Sequence, residues 1–90
     1  MVRLRITVRG RVQNVFFRHT AQKVASDLNL SGWTRNIDTG VVVCEVQGEQ
    51  ILAEQFVSFV LRGPRLAQVE KVTIEYIGEL PEEHGFEIIS

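Results

Sequence analysis

Cysteine is nearly missing from this chain: Cys44 is the only one in 90 residues. No internal disulfide can form, and no cysteine cluster can hold zinc. Long apolar runs are missing too, since none approaches the roughly 18 residues of a membrane-spanning helix. The N-terminus opens on an alternating pattern rather than the apolar core of a secretion signal. The expectation is a cytoplasmic protein with no membrane partner. Net charge is equally scarce, 10 basic against 11 acidic residues giving -1, so the molecule as a whole does not attract nucleic acid. Aromatic residues are few, and the strand-like runs Leu4 to Val8 and Val41 to Gln47 contain none. They lack the stacking platforms on which RNA-binding sheets rely, so no nucleic-acid partner is expected.

What is present is the composition of one globular unit, with 44% hydrophobic and 23% charged residues. A single domain over residues 1–90 is expected. Charge is unevenly distributed along it. Arg3, Arg5, Arg9, Arg11 and Arg18 fall in the first 18 residues with no acidic side chain among them, whereas Glu70, Glu75, Glu79, Glu82, Glu83 and Glu87 dominate the end. If both ends join one sheet, the acidic end neutralises much of the basic one.

Residues 2–9 alternate with period two, predicting a strand with Leu4, Ile6 and Val8 toward a core and Arg3, Arg5, Thr7 and Arg9 on an open face. Phe17, Ala21, Val24, Ala25 and Leu28 recur at helical spacing, and Asn29 ahead of Leu30-Ser31-Gly32 marks the stop. Two strands follow, 33–37 and 41–48, joined through Asp38-Thr39-Gly40. A second helix over 50–62 buries Leu52, Phe56, Phe59 and Val60 and ends at Gly63-Pro64. Residues 69–76 alternate again with Val72, Ile74 and Tyr76 on one side, 78–85 form an acidic connection, and 86–89 can close the sheet as a short fifth strand. The order strand, helix, strand, strand, helix, strand is a ferredoxin-like α+β (βαββαβ) sandwich, with two helices on one face of an antiparallel sheet. In it Cys44 is a buried small hydrophobe, and Trp33 is either a core anchor or the cover of an open-face pocket.

Between the first strand and the first helix lies Gly10-Arg11-Val12-Gln13-Asn14-Val15-Phe16-Phe17-Arg18. A loop feeding a helix start offers unpaired backbone N–H groups, and Arg18 stands where they converge, the makings of a small phosphate cradle. The glycine spacing and Lys-Ser/Thr ending of a P-loop are absent. The plainer alternative has Gly10 making a turn, Arg11 and Arg18 facing solvent, and Phe16 or Phe17 plugging the core. His19 is either a solvated side chain or a charge near the cradle. Asn36, at a strand end before Asp38, can hold a water or shape the hairpin. Arg35 can steer an acidic substrate or form a surface salt bridge with Glu45.

Two segments together resemble the acylphosphatase family: Val8 to Arg18, and Gly32-Trp33-Thr34-Arg35-Asn36-Ile37-Asp38-Thr39-Gly40-Val41-Val42 followed by Gly48. The resemblance covers essentially the whole chain, including Phe86-Glu87-Ile88. It implies hydrolysis of a small-molecule acyl phosphate to a carboxylate and inorganic phosphate, with no metal and no organic cofactor. Arg18 would bind the phosphoryl oxygens, helped by backbone N–H groups of Gln13, Asn14, Val15, Phe16, Phe17 and Arg18, and Asn36 would position the attacking water. A monomer is expected. One position departs from the family pattern, which has glycine where this chain has Asn14. Asparagine is the side chain that best tolerates positive φ, so the expectation is a cradle preserved with Asn14 in that conformation and turnover altered. The competing reading is a phosphate- or ligand-binding module without catalysis.

Overall fold

The computed structural model describes residues 1–13 and 16–89. Its elements run β1 (Val2–Arg11), α1 (Phe17–Asp27), β2 (Ser31–Asp38), β3 (Val41–Gly48), α2 (Gln50–Arg62), β4 (Gln68–Ile77) and β5 (Phe86–Ile88). The strands form one sheet in the order β4-β1-β3-β2-β5. The first four are antiparallel neighbours, while β5 adds to β2 in parallel. The closing strand expected from Phe86 to Ile89 therefore makes the sheet mixed.

Alternation places the core as expected. Register sets Ile6 opposite Cys44, and Val8 opposite Val42 and Val72, whereas Ile74, opposite Ile6 on the edge strand, stays exposed outside the core. The row of side chains so formed meets Phe17, Ala21 and Ala25 of α1 and Ala53, Phe56, Phe59 and Val60 of α2. Phe56 lies at the middle of an aromatic cluster, 5.7 Å from Phe59 and 6.0 Å from Phe86 between ring centroids, and Phe17 joins it 5.8 Å from Phe59. Cys44 is wholly buried, its thiol donating to Thr34 Oγ1 at 3.2 Å, and burial pushes its pKa up to about 12. It is packing rather than a nucleophile.

The other face of the sheet is open only in part, Arg5, Arg9 and Arg35 being exposed on it. All eight residues of β3 are buried, and Arg3 is only 1% exposed. Segment 78–85 folds across the lower half of this face. Gln47 clasps Leu80 through both backbone groups at 2.8 Å, and Arg3 donates to Glu83 at 2.7 Å and to Glu45 at 2.9 Å. Arg5 donates to the second Glu45 oxygen at 2.9 Å. Neutralisation of the basic beginning by the acidic end thus takes the form of a buried network. It also occupies Glu45, so the salt bridge envisaged between Glu45 and Arg35 is not made. Trp33 lies opposite Glu45 and Glu87, on this same face and half-buried, rather than anchoring the helix-covered core.

Burial works against the Arg3 charge, but hydrogen bonds and attraction from Glu83 and Glu45 outweigh it and raise its pKa. Burial likewise opposes ionisation of Glu83, and Arg3 overrides it, holding the carboxyl below its ordinary value. Folded Glu83 thus binds its proton less tightly than unfolded Glu83. Its contribution to stability is complete above the unfolded value of about 4.3 and is lost as pH falls through the lower folded value. Acid unfolding curves of wild type and Glu83→Gln should accordingly be well separated at pH 6 and converge as pH falls through the lowered folded value of Glu83; curves that stay parallel would contradict the assignment.

Candidate active site

The two sequence segments meet at one end of the sheet because of how the chain turns. β1 rises to the loop, α1 descends from it and packs against β2 and β5, and β2 climbs back. Arg18, in the first turn of α1, and Asn36, near the end of β2, are therefore at the same end and on the same side of the sheet. Within α1 the residue one turn below Arg18 is Gln22, whose amide donates to the Phe86 carbonyl of β5 at 3.1 Å. That contact shows which flank of the helix Arg18 shares, namely the one facing the β2–β5 edge.

The loop is pinned to the β2–β3 hairpin. Gly10 N–H donates to the Gly40 carbonyl at 3.0 Å, and the Gln13 amide donates to the carbonyls of Asp38 and, at 3.3 Å, Val41. Gly40 turns with φ 72°, and a Cβ there would come within 3.2 Å of the Gly10 carbonyl, so the close approach favours glycine. β1 itself continues past its predicted end at Arg9. A bulge between Arg9 and Gly10 lets it do so, and Gly10, at φ 139°, has no room for a side chain against the Gln68 carbonyl.

At the start of α1, Phe16 takes the left-handed conformation, φ 58° and ψ 27°. Among the described residues no side chain caps the helix, and none of its first-turn residues is acidic. The positive end of the helix thus has no anionic partner among the described residues. Beside it opens a cleft of about 330 Å³ lined by Val12, Gln13, Phe16, Phe17, Arg18 and His19. Val12 and Phe17 are core residues forming its floor, Arg18 is half-buried, and His19 is exposed. Phe17 is the plug that the sequence allowed for either phenylalanine, and Phe16 stands out in solvent.

Asn36 is not part of that lining. It pairs with Val42 on the helix-covered face, and its Oδ1 is buried yet accepts no hydrogen bond among the described residues. A buried acceptor of this kind ordinarily has a partner. The positive φ expected at Asn14, and the backbone donors expected from Asn14 and Val15, lie outside the described residues. Sequence reasoning missed the left-handed Phe16, for which a bulky aromatic carries no signal. Among the described residues no helix is long and apolar enough to cross a membrane, and no three His, Cys, Asp or Glu side chains are grouped to hold a metal ion.

The acylphosphatase family model matches residues 4–88. The chain is 38% identical over 89 residues to an acylphosphatase of Roseiflexus sp. (strain RS-1), an alignment covering 99% of this chain and 96% of the relative. It is 43% identical to an acylphosphatase of Aeropyrum pernix, over 98% of this chain and 88% of that one. Its fold is similar to the crystal structure of the Bacillus subtilis acylphosphatase with a TM-score of 0.94 at 33% identity, each chain covered in full. With both signature segments brought to one end of a sheet of this topology, the chain belongs to the acylphosphatase family.

Proposed function

We propose that this protein hydrolyses acyl phosphates with Arg18 and the loop backbone holding the phosphoryl group and Asn36 orienting the attacking water. The observation that carries the reading is the buried Asn36 Oδ1, without a hydrogen-bond partner among the described residues, at the same end of the sheet as Arg18 and the start of α1. The phosphoryl oxygens take hydrogen bonds from backbone N–H groups of the 13–18 loop and a forked pair from the Arg18 guanidinium. A water that donates one O–H to Asn36 Oδ1 keeps a lone pair free for phosphorus. The P–O bond to the acyl group breaks as the water oxygen bonds, and the leaving group is a carboxylate. A carboxylate needs no protonation to depart, so neutralisation and alignment carry the step. The water's proton can pass to a phosphoryl oxygen of the substrate itself, so the step needs no carboxylate base, and the described residues lining the cleft include no carboxylate.

One copy of the 1–90 unit holds every group invoked, in keeping with a monomer acting on a small-molecule substrate. The proposed compartment is the cytoplasm, since the single buried thiol calls for no oxidising environment. The test is hydrolysis of benzoyl phosphate with a chelator present, wild type beside Arg18→Ala. Arginine-dependent turnover is expected, whereas phosphate binding with no turnover above the variant would sink the hydrolase reading.

A further inference from the structure

We propose that Phe16, with His19 beside it, is the receptor for the acyl group, so that the enzyme prefers aromatic acyl phosphates to short aliphatic ones. The inference rests on the hydrolase reading above and extends it to the substrate's other half. Phe16 is 72% exposed whereas its neighbour Phe17 is 1% exposed. The left-handed backbone at Phe16 separates the two, sending one ring into the core and the other out over the cleft that Arg18 lines. The exposed ring is not isolated. His19 stands 6.2 Å from it between centroids, tilted by 52°, and both rings line that same cleft. One apolar residue in solvent needs no explanation; an aromatic pair lining a cleft with room beyond a phosphate offers a flat ligand two faces.

The direction of the reaction places the acyl group there. α1 turns Phe17, Ala21 and Ala25 toward the sheet, so His19, two residues beyond Phe17 and about 200° round the helix, is on the solvent side. Asn36 belongs to the sheet. In-line displacement puts the attacking and leaving oxygens on opposite sides of phosphorus. A water held from the sheet side by Asn36 therefore expels the carboxylate toward solvent, past Phe16 and His19. A benzoyl ring leaving along that line can pack on Phe16 at the 4.5 to 7 Å centroid spacing usual for aromatic pairs, about the distance already kept by His19. An acetyl methyl covers little of the same surface.

The measurement is the ratio of kcat/KM for benzoyl phosphate to that for acetyl phosphate. Phe16→Asn keeps a residue that tolerates the left-handed conformation while removing the ring, and it should lower the ratio by about threefold to tenfold, the span of one aromatic contact. Phe16→Tyr keeps the ring and should keep the ratio. In the wild type, phenyl phosphate should inhibit more tightly than methyl phosphate by a similar factor, which decides the matter even if the asparagine variant fails to fold. The proposal is overturned by an unchanged ratio in Phe16→Asn, by an equal fall in Phe16→Tyr, or by phenyl and methyl phosphate inhibiting alike. Wild-type turnover of both acyl phosphates with a ratio unmoved in Phe16→Asn removes the acyl receptor alone, whereas wild-type turnover of neither removes the hydrolase reading beneath it.

Discussion

Replacing Arg18 by alanine should lower kcat/KM for benzoyl phosphate by about a thousandfold or more, in the range found when an arginine that stabilises a transferring phosphoryl group is removed. Arg18 is the one permanent side-chain cation among the described residues lining the cleft. Backbone N–H groups supply hydrogen bonds and a partial charge, but they do not match a full guanidinium as charge builds on the phosphoryl oxygens. Arg18→Lys should recover only part of the loss, because an ammonium group neutralises charge without the planar fork that fixes two oxygens at once. Inorganic phosphate should also bind the alanine variant more weakly, which separates loss of the cradle from loss of the water. Stability should hardly change. Arg18 is half-buried and makes no ion pair or hydrogen bond with a described residue, so the cost should stay within about 0.5 kcal/mol, or roughly 2 to 4 °C in Tm for a domain of this size. A variant that lost activity and fold together would place Arg18 in the scaffold instead.

Local periodicity made the framework legible in the residues themselves. The alternation Leu4-Ile6-Val8 named the inward side of β1, and Gly63-Pro64 set the end of α2, because both signals are carried within a few residues. What escaped was decided by partners remote in the chain. Nothing near Arg3 announces its burial, since Glu83, 80 positions away, is what folds over it. The facing of Trp33 and Asn36 depended on a register that composition does not set. The β2–β3 register is regular from Ser31 to Asn36 and sets Trp33 opposite Glu45 and Asn36 opposite Val42, so alternation turns Asn36 toward the helices and Trp33 the other way, the shift coming only after Asn36. The candidate site was legible only in its residue types: Arg18 and Asn36 stood out by chemistry, whereas their placement at one end of the sheet required the descent of α1 and the return of β2.

Asn36→Ala should be an inactive but well-folded protein, with kcat for benzoyl phosphate down by about a hundredfold or more, comparable to the removal of one positioned donor or acceptor at a reacting centre. The fall should appear in kcat, with inorganic phosphate binding close to wild type, because Asn36 is apart from the residues lining the cleft of Arg18. That split would distinguish it from Arg18→Ala, which weakens both. Asn36→Asp is the sharper variant. Its carboxylate still accepts a hydrogen bond from water, but it brings a negative charge beside a phosphoryl group, so it should bind phosphate worse than alanine does. The stability of Asn36→Ala should stay within about 1 kcal/mol of wild type, since Oδ1 gives up no hydrogen bond to a described residue, and a buried acceptor left without a protein partner is itself a cost. If Asn36 instead served to shape the hairpin, Asn36→Ala would lower Tm and disturb phosphate binding through the contacts that tie Gln13 to Asp38 and Val41. Unchanged Tm with kcat lost assigns it to the water; a lowered Tm with kcat kept assigns it to the turn.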